Sequence, residues 1–128
     1  MKAQELQTRS KDFALRNLKL FRSLPKSPDA QIVGKQLLRS AMSTAANYRA
    51  ACRARSDAEF IAKLSIVVEE IDETQFWLEI VSAAGWVKPE RLLPLTQEAS
   101  ELTAIFTASR HTARGRKRSP GRGFKLTS

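Results

Sequence analysis

Apolar positions recur along this chain at alternating spacings of three and four, in four separate blocks. That period belongs to the α-helix, where side chains three and four apart share one face. In the first block Leu6, Ser10, Phe13, Asn17, Phe21 and Leu24 form the stripe, with Ala14 and Leu18 beside it, which predicts a helix over 3–24. Pro25 and Pro28 interrupt the pattern. Ser27-Pro28 reads as an N-cap followed by proline at the first helical position, where its missing N–H costs nothing. A second helix over 28–53 then turns Gly34, Leu38, Ala41, Met42, Ala45, Tyr48 and Cys52 inward, with Leu37 at the edge. So many small residues let a neighbouring helix approach closely.

Ser56-Asp57-Ala58-Glu59 has the form of a capping box, in which the serine oxygen takes an orphan N–H while the glutamate reaches back. The third helix, 57–84, buries Phe60, Leu64, Val67, Ile71, Thr74, Leu78 and Val81 in strict alternation, and Gly85 supplies a left-handed stop. Trp86 and Val87 fold back onto its last turn. Pro89 opens a fourth helix, 89–110, with Leu92, Leu95, Ala99, Leu102 and Phe106 inside and Ile105 widening the face. Pro94 removes a hydrogen bond and clashes with the preceding turn, so residues 89–93 are expected as a separate short turn. Short connections make neighbouring helices antiparallel, so residues 1–110 are expected to form an all-α, up-down-up-down four-helix bundle. From His111 onward six bases, three Gly and one Pro, without an acid, offer no buried face, which predicts a disordered basic tail over 111–128.

At 128 residues the chain is expected to be one domain. The lone Cys52 excludes an intramolecular disulfide and fits a reducing compartment. No stretch approaches the ~20 apolar residues of a membrane span, and the polar residues 1–12 lack a secretory apolar core. The expectation is a cytoplasmic protein without membrane contact.

Charge changes the picture more. The net charge is +9, and it is unevenly distributed. Residues 35–55 carry five bases (Lys35, Arg39, Arg49, Arg53 and Arg55) and no acid, whereas residues 56–79 carry seven acids against Lys63 alone. At ~100° per residue, Lys35, Arg39, Arg49 and Arg53 fall in one sector of the second helix, beside its core face. Such a stripe suits phosphates rather than base edges. It also suits the acids of the next helix, which an antiparallel neighbour would place opposite. Arg114, Arg116, Lys117, Arg118 and Arg122 make the tail a second candidate for RNA or DNA, with Phe124 available for stacking, although a solvated extension has the same composition.

The third helix carries another signal. Ile66, Phe76, Trp77 and Ile80 lie away from its core stripe, around Glu69, Glu70 and Glu73. Apolar residues on a second face mark a subunit interface with charged neighbours setting register, so Ile66, Glu73, Phe76, Trp77 and Ile80 are the interface candidates. The alternative is a wide core face with Trp77 on its flank. Glu69, Glu70, Asp72 and Glu73 lack the Glu-x-x-His partners of a di-iron bundle, since the single histidine is His111. Cys52 sits on an apolar face without a partner base. No phosphate-binding glycine loop or nucleophile elbow occurs, so neither a cofactor nor an enzymatic activity is expected.

Residues 37–81 resemble the family of four-helix bundle proteins named after intervening sequences in large-subunit ribosomal RNA. The marks are Arg39-Ser40, Ala46-Asn47, the hinge Arg53-Ala54-Arg55-Ser56 and the start Glu59-Phe60-Ile61. The resemblance implies a four-helix subunit, a homo-oligomer in the form of a ring-like pentamer, and no known catalytic activity. Many members carry Glu-Gly soon after the asparagine, where this chain has Arg49-Ala50-Ala51, so a role tied to that glutamate does not carry over. The fold is also similar to accessory proteins of diversity-generating retroelements, which bind nucleic acid and a reverse transcriptase; that likeness implies a nucleic-acid enzyme as a partner only by analogy. Two functions follow: a non-enzymatic oligomer that binds nucleic acid through phosphates, or a structural, protein-binding oligomer that uses its charge blocks only between subunits.

Overall fold

A computed structural model describes residues 1–117, and in it the chain forms four helices: α1 (Ala3–Ser23), α2 (Pro28–Cys52), α3 (Asp57–Ala84) and α4 (Pro89–Lys117). There is no strand among the described residues. Local chemistry sets the boundaries. Ser56 Oγ accepts the Glu59 N–H at 3.1 Å at the start of α3, and Gly85 stops that helix with φ 76°. The return half of the capping box is absent, because the Glu59 carboxylate leans 4.0 Å from Arg55 instead. Ser27 occupies the N-cap position of α2 without capping through its side chain. Its hydroxyl bonds Asp29, which together with the Ala30 N–H holds that carboxyl below its ordinary pKa.

Two expectations about α4 fail. Pro94 lies inside a continuous helix rather than at a break. It replaces an N–H that would have bonded the carbonyl of Glu90; both residues are exposed, so that carbonyl is not orphaned in an apolar interior. The helix also continues to Lys117, past the expected end at 110. Ser109, Ala113 and Arg116 are buried and extend the three-and-four alternation from Phe106, which gives residues 111–117 the buried face they were expected to lack. The remainder of the expected tail, 118–128, lies outside the described residues.

Contacts between neighbouring helices run in opposite directions. Phe21 and Leu24 approach Gly34 at one end of the α1–α2 pair, while Gln7 lies against Cys52 at the other. On α3, Glu70 and Glu73 face Arg39, and Thr74 faces Ser40. Thr103 of α4 donates to Gln75 Oε1 at 3.0 Å, and Arg116 meets Asp57. The bundle is closed where Arg9 of α1 donates to Glu98 of α4 at 3.1 Å. The N-terminus of α1 and the C-termini of α2 and α4 therefore share one end.

The core is held by Phe13, Tyr48, Phe60 and Phe106, with the Tyr48 and Phe106 rings 5.2 Å apart. All seven stripe positions expected of α3 are buried. In α1 Leu20 is buried where Phe21 was expected. Phe21 instead crosses Gly34, where a Cβ would come within 2.8 Å of its ring. In α2 the buried set is rotated: Leu37, Ser40, Thr44 and Ala51 go inside, while Leu38, Ala45 and Cys52 are half-buried and Met42 is exposed. Ser40 and Thr44 satisfy their hydroxyls on the carbonyls of Leu37 and Ser40, at 3.1 and 2.8 Å, so their burial leaves no unpaired donor.

Candidate nucleic-acid and assembly surfaces

Lys35, Arg39, Arg49 and Arg53 are all exposed on α2, but they divide into different surroundings. Arg39 reaches across to α3, with Nη1 3.2 Å from Glu70 Oε2 and Nη2 donating to Glu73. The bond to Glu70 and the two carboxylate charges raise the guanidinium pKa further. For this residue the helix-pairing alternative is realised. Lys35, Arg49 and Arg53 make no ion pair among the described residues.

Arg49 and Arg53 line an open groove of about 610 Å³ between residues 4–15 of α1 and 42–53 of α2. Its small-residue floor is Ala14, Ala45 and Ala46, and Lys11 supplies a third cation. Leu15 and Met42 stand at one end, 48% and 37% exposed. No acidic residue lines the groove. Sequence reading missed Lys11 and Leu15 and assigned Met42 to the core, because cations drawn from two helices have no common period. Half-buried Cys52 lies next to this groove, through its bond with Gln7; burial pushes its thiol pKa up, against bonds with Tyr48 and Gln7 that lower it. A smaller basic depression joins Arg16 and Lys19 of α1 to Arg91 of α4.

The end where α2 and α4 finish is also basic. Arg53, Arg114 and Lys117 are exposed there and make no ion pair among the described residues. Arg116 does not join them as a phosphate ligand: it is 8% exposed, with Nε 3.9 Å from Asp57 Oδ1. Arg118 and Arg122 lie outside the described residues.

The expected interface residues are likewise divided. Phe76 and Ile66 face outward, 49% and 37% exposed, whereas Trp77 and Ile80 are half-buried. Trp77 packs against the core, as its flank reading holds, and its Nε1 donates to Glu73 at 3.3 Å. Phe76 sets itself edge-on to that indole, 5.0 Å between ring centres. With Arg39 beside Glu73, the register puts Ile32 of α2, 66% exposed, level with Ile80. Nothing in the sequence pattern singled out Ile32. Among the described residues no group of three or more His, Cys, Asp or Glu side chains is placed to hold a metal, and no helix is long and apolar enough to cross a membrane.

Comparison with known proteins gives the chain its relatives. A crystal structure of a protein with unknown function from the S23 ribosomal protein family of Bacteroides thetaiotaomicron VPI-5482 is 31% identical. Its TM-score is 0.80, over 87% of this chain and 99% of its own. No curated protein matches the chain. The family model for the 23S rRNA-intervening sequence protein covers residues 2–108, stopping before Arg114 and Lys117. Four helices in this arrangement and a match over nearly the whole described bundle place the chain in the 23S rRNA-intervening sequence protein family.

Proposed function

We propose that this protein is a non-enzymatic, cytoplasmic homo-oligomer that binds nucleic acid through its phosphate backbone. The observation that carries this reading is the basic end of the bundle, where Arg53, Arg114 and Lys117 stand exposed without ion pairs among the described residues. The fold brings Arg53 and the α4 cations to one end although more than fifty residues separate them in sequence. In sequence, Arg118 follows Lys117 and Arg122 comes four residues later, both with the same sign of charge. Point charges on long flexible stems contact phosphates and carry no base code, so the expected binding is tolerant of sequence. Ile66 and Phe76, apolar and outward on α3, support the oligomer, for which a ring of five is the expectation.

The structural, protein-binding alternative draws support from Arg39, whose charge is already engaged by Glu70 and Glu73. Salt separates the two. Fluorescence anisotropy with single-stranded RNA and DNA should show affinity falling steeply as salt rises. Replacing Arg53, Arg114 and Lys117 with Gln should reduce the log–log slope by about 0.7 for each phosphate no longer neutralised. Absence of binding at low salt would overturn the nucleic-acid reading and leave the oligomer.

A further inference from the structure

The outward side of α3 repeats the spacing of its buried side. Ile66, Glu69, Glu73, Phe76 and Ile80 follow one another at intervals of three and four, so they form one continuous ridge opposite the core stripe. That ridge is apolar at three of five positions and acidic at the other two. Glu73 is held by Arg39 and Trp77, while Glu69 is exposed and makes no ion pair among the described residues. A helix with an apolar stripe on both sides has a second side to cover.

The groove between α1 and α2 has the complementary character. Its floor is alanine, one end is Leu15 and Met42, and its charges are Lys11, Arg49 and Arg53 without an acid. Small floor residues admit a helix at close range. The spacings agree as well. Met42 to Arg49 and Glu69 to Phe76 are both seven residues, about 10.5 Å of helix at ~1.5 Å per residue. Seating Phe76 on Leu15 and Met42 thus brings Glu69 to Arg49, with the incoming helix antiparallel to α2.

We infer that the α1–α2 groove of one copy seats the outward ridge of α3 from a second copy, head to tail. The inference rests on the oligomer proposed above and specifies which two faces form it. Because groove and ridge are different surfaces, each chain keeps one free groove and one free ridge until a ring closes. A phosphate backbone would neutralise Lys11 and Arg49 but leave Leu15 and Met42 uncovered, and it would leave the α3 ridge uncovered too. In the same register Ile66 comes level with Cys52, beside Arg53, so of the basic end it is Arg114 and Lys117 on α4 that stand apart from the seated ridge.

Two variants that each spoil one face test this. Arg49→Glu spoils the groove and Phe76→Ser spoils the ridge; both positions are exposed, and circular dichroism checks that each variant stays helical. Light scattering should give each variant the mass of a single 14.3 kDa chain. A one-to-one mixture retains one good groove and one good ridge, so it should form a two-chain complex and go no further. Adding Glu69→Arg to Arg49→Glu should restore the wild-type mass. If Arg49→Glu keeps the wild-type mass while Phe76→Ser dissociates, the groove inference is overturned and the oligomer stands. If Arg49→Glu keeps its mass but no longer binds single-stranded RNA, the groove is a phosphate surface and the inference is again overturned. A wild-type chain that stays single at high concentration overturns both the inference and the oligomer.

Discussion

The two sides of α3 repeat the same spacing in different surroundings. Its inner side, Phe60 through Val81, is buried to the last position inside its own bundle. Its outer side, Ile66 through Ile80, has the same alternation but is only partly covered by its own chain at Ile66 and Phe76, 37% and 49% exposed. Periodicity therefore reports that a face can pack against a helix and not which helix does so. Charge distinguishes the sides: no acid interrupts the inner stripe, whereas Glu69 and Glu73 punctuate the outer one. Where separately folded molecules associate, charged residues belong to the rim around the apolar contacts, and complementary charges across it fix register.

Substitutions should separate the sides clearly. Ile71→Ala, at a fully buried inner position, should lower unfolding free energy by about 2–5 kcal/mol in urea titration. Phe76→Ser on the outer side, which removes a half-exposed ring and its edge contact with Trp77, should cost the separated chain no more than about 1–2 kcal/mol. Equal destabilisation at the two positions would end the distinction. Next in size is Arg116→Ala, which removes a buried partner of Asp57 and should cost about 1–3 kcal/mol.

The Arg39 contact to Glu70 and Glu73 is half-exposed, so Arg39→Ala should cost only ~0–1 kcal/mol, and less at high salt. The smallest effect concerns Cys52. Its folded thiol pKa is raised, so its contribution to stability is fully present below the unfolded value near 9 and disappears as pH rises through the folded value. Thiol-reagent kinetics should accordingly show slow reaction at neutral pH, accelerated by denaturant; immediate reaction in the native protein would contradict the burial.

What sequence could convey follows from side-chain chemistry. The inner stripe of α3 was legible because its periodicity was strict and its ends carried Ser56 and Gly85. The α2 face was misread because Ser40 and Thr44 are polar yet bond carbonyls of their own helix, which lets them be buried in place of Leu38 and Met42. The end of α4 was missed although the alternation continued through Ser109, Ala113 and Arg116, since a basic, glycine-containing composition outweighed it. At the surfaces, the sequence left Arg39 between phosphate and the acids of α3, and the structure sets it against Glu70 and Glu73; Arg116 reaches Asp57 only through the antiparallel return of α4, which composition does not convey. The groove required two helices at a definite separation. No single-helix pattern holds that information.

The outward apolar face decides which variant tests assembly best. Trp77 packs against the core, so replacing it with glutamate risks unfolding the chain, while Ile66 and Phe76 are free of that objection. The direct measurement is the solution mass of the wild type beside Ile66→Ser with Phe76→Ser, by light scattering, with circular dichroism on both. The expected result is a wild-type mass that is a multiple of 14.3 kDa and a doubly substituted protein that is a single helical chain. Identical masses for the two, whether large or small, would contradict assembly through the outer side of α3.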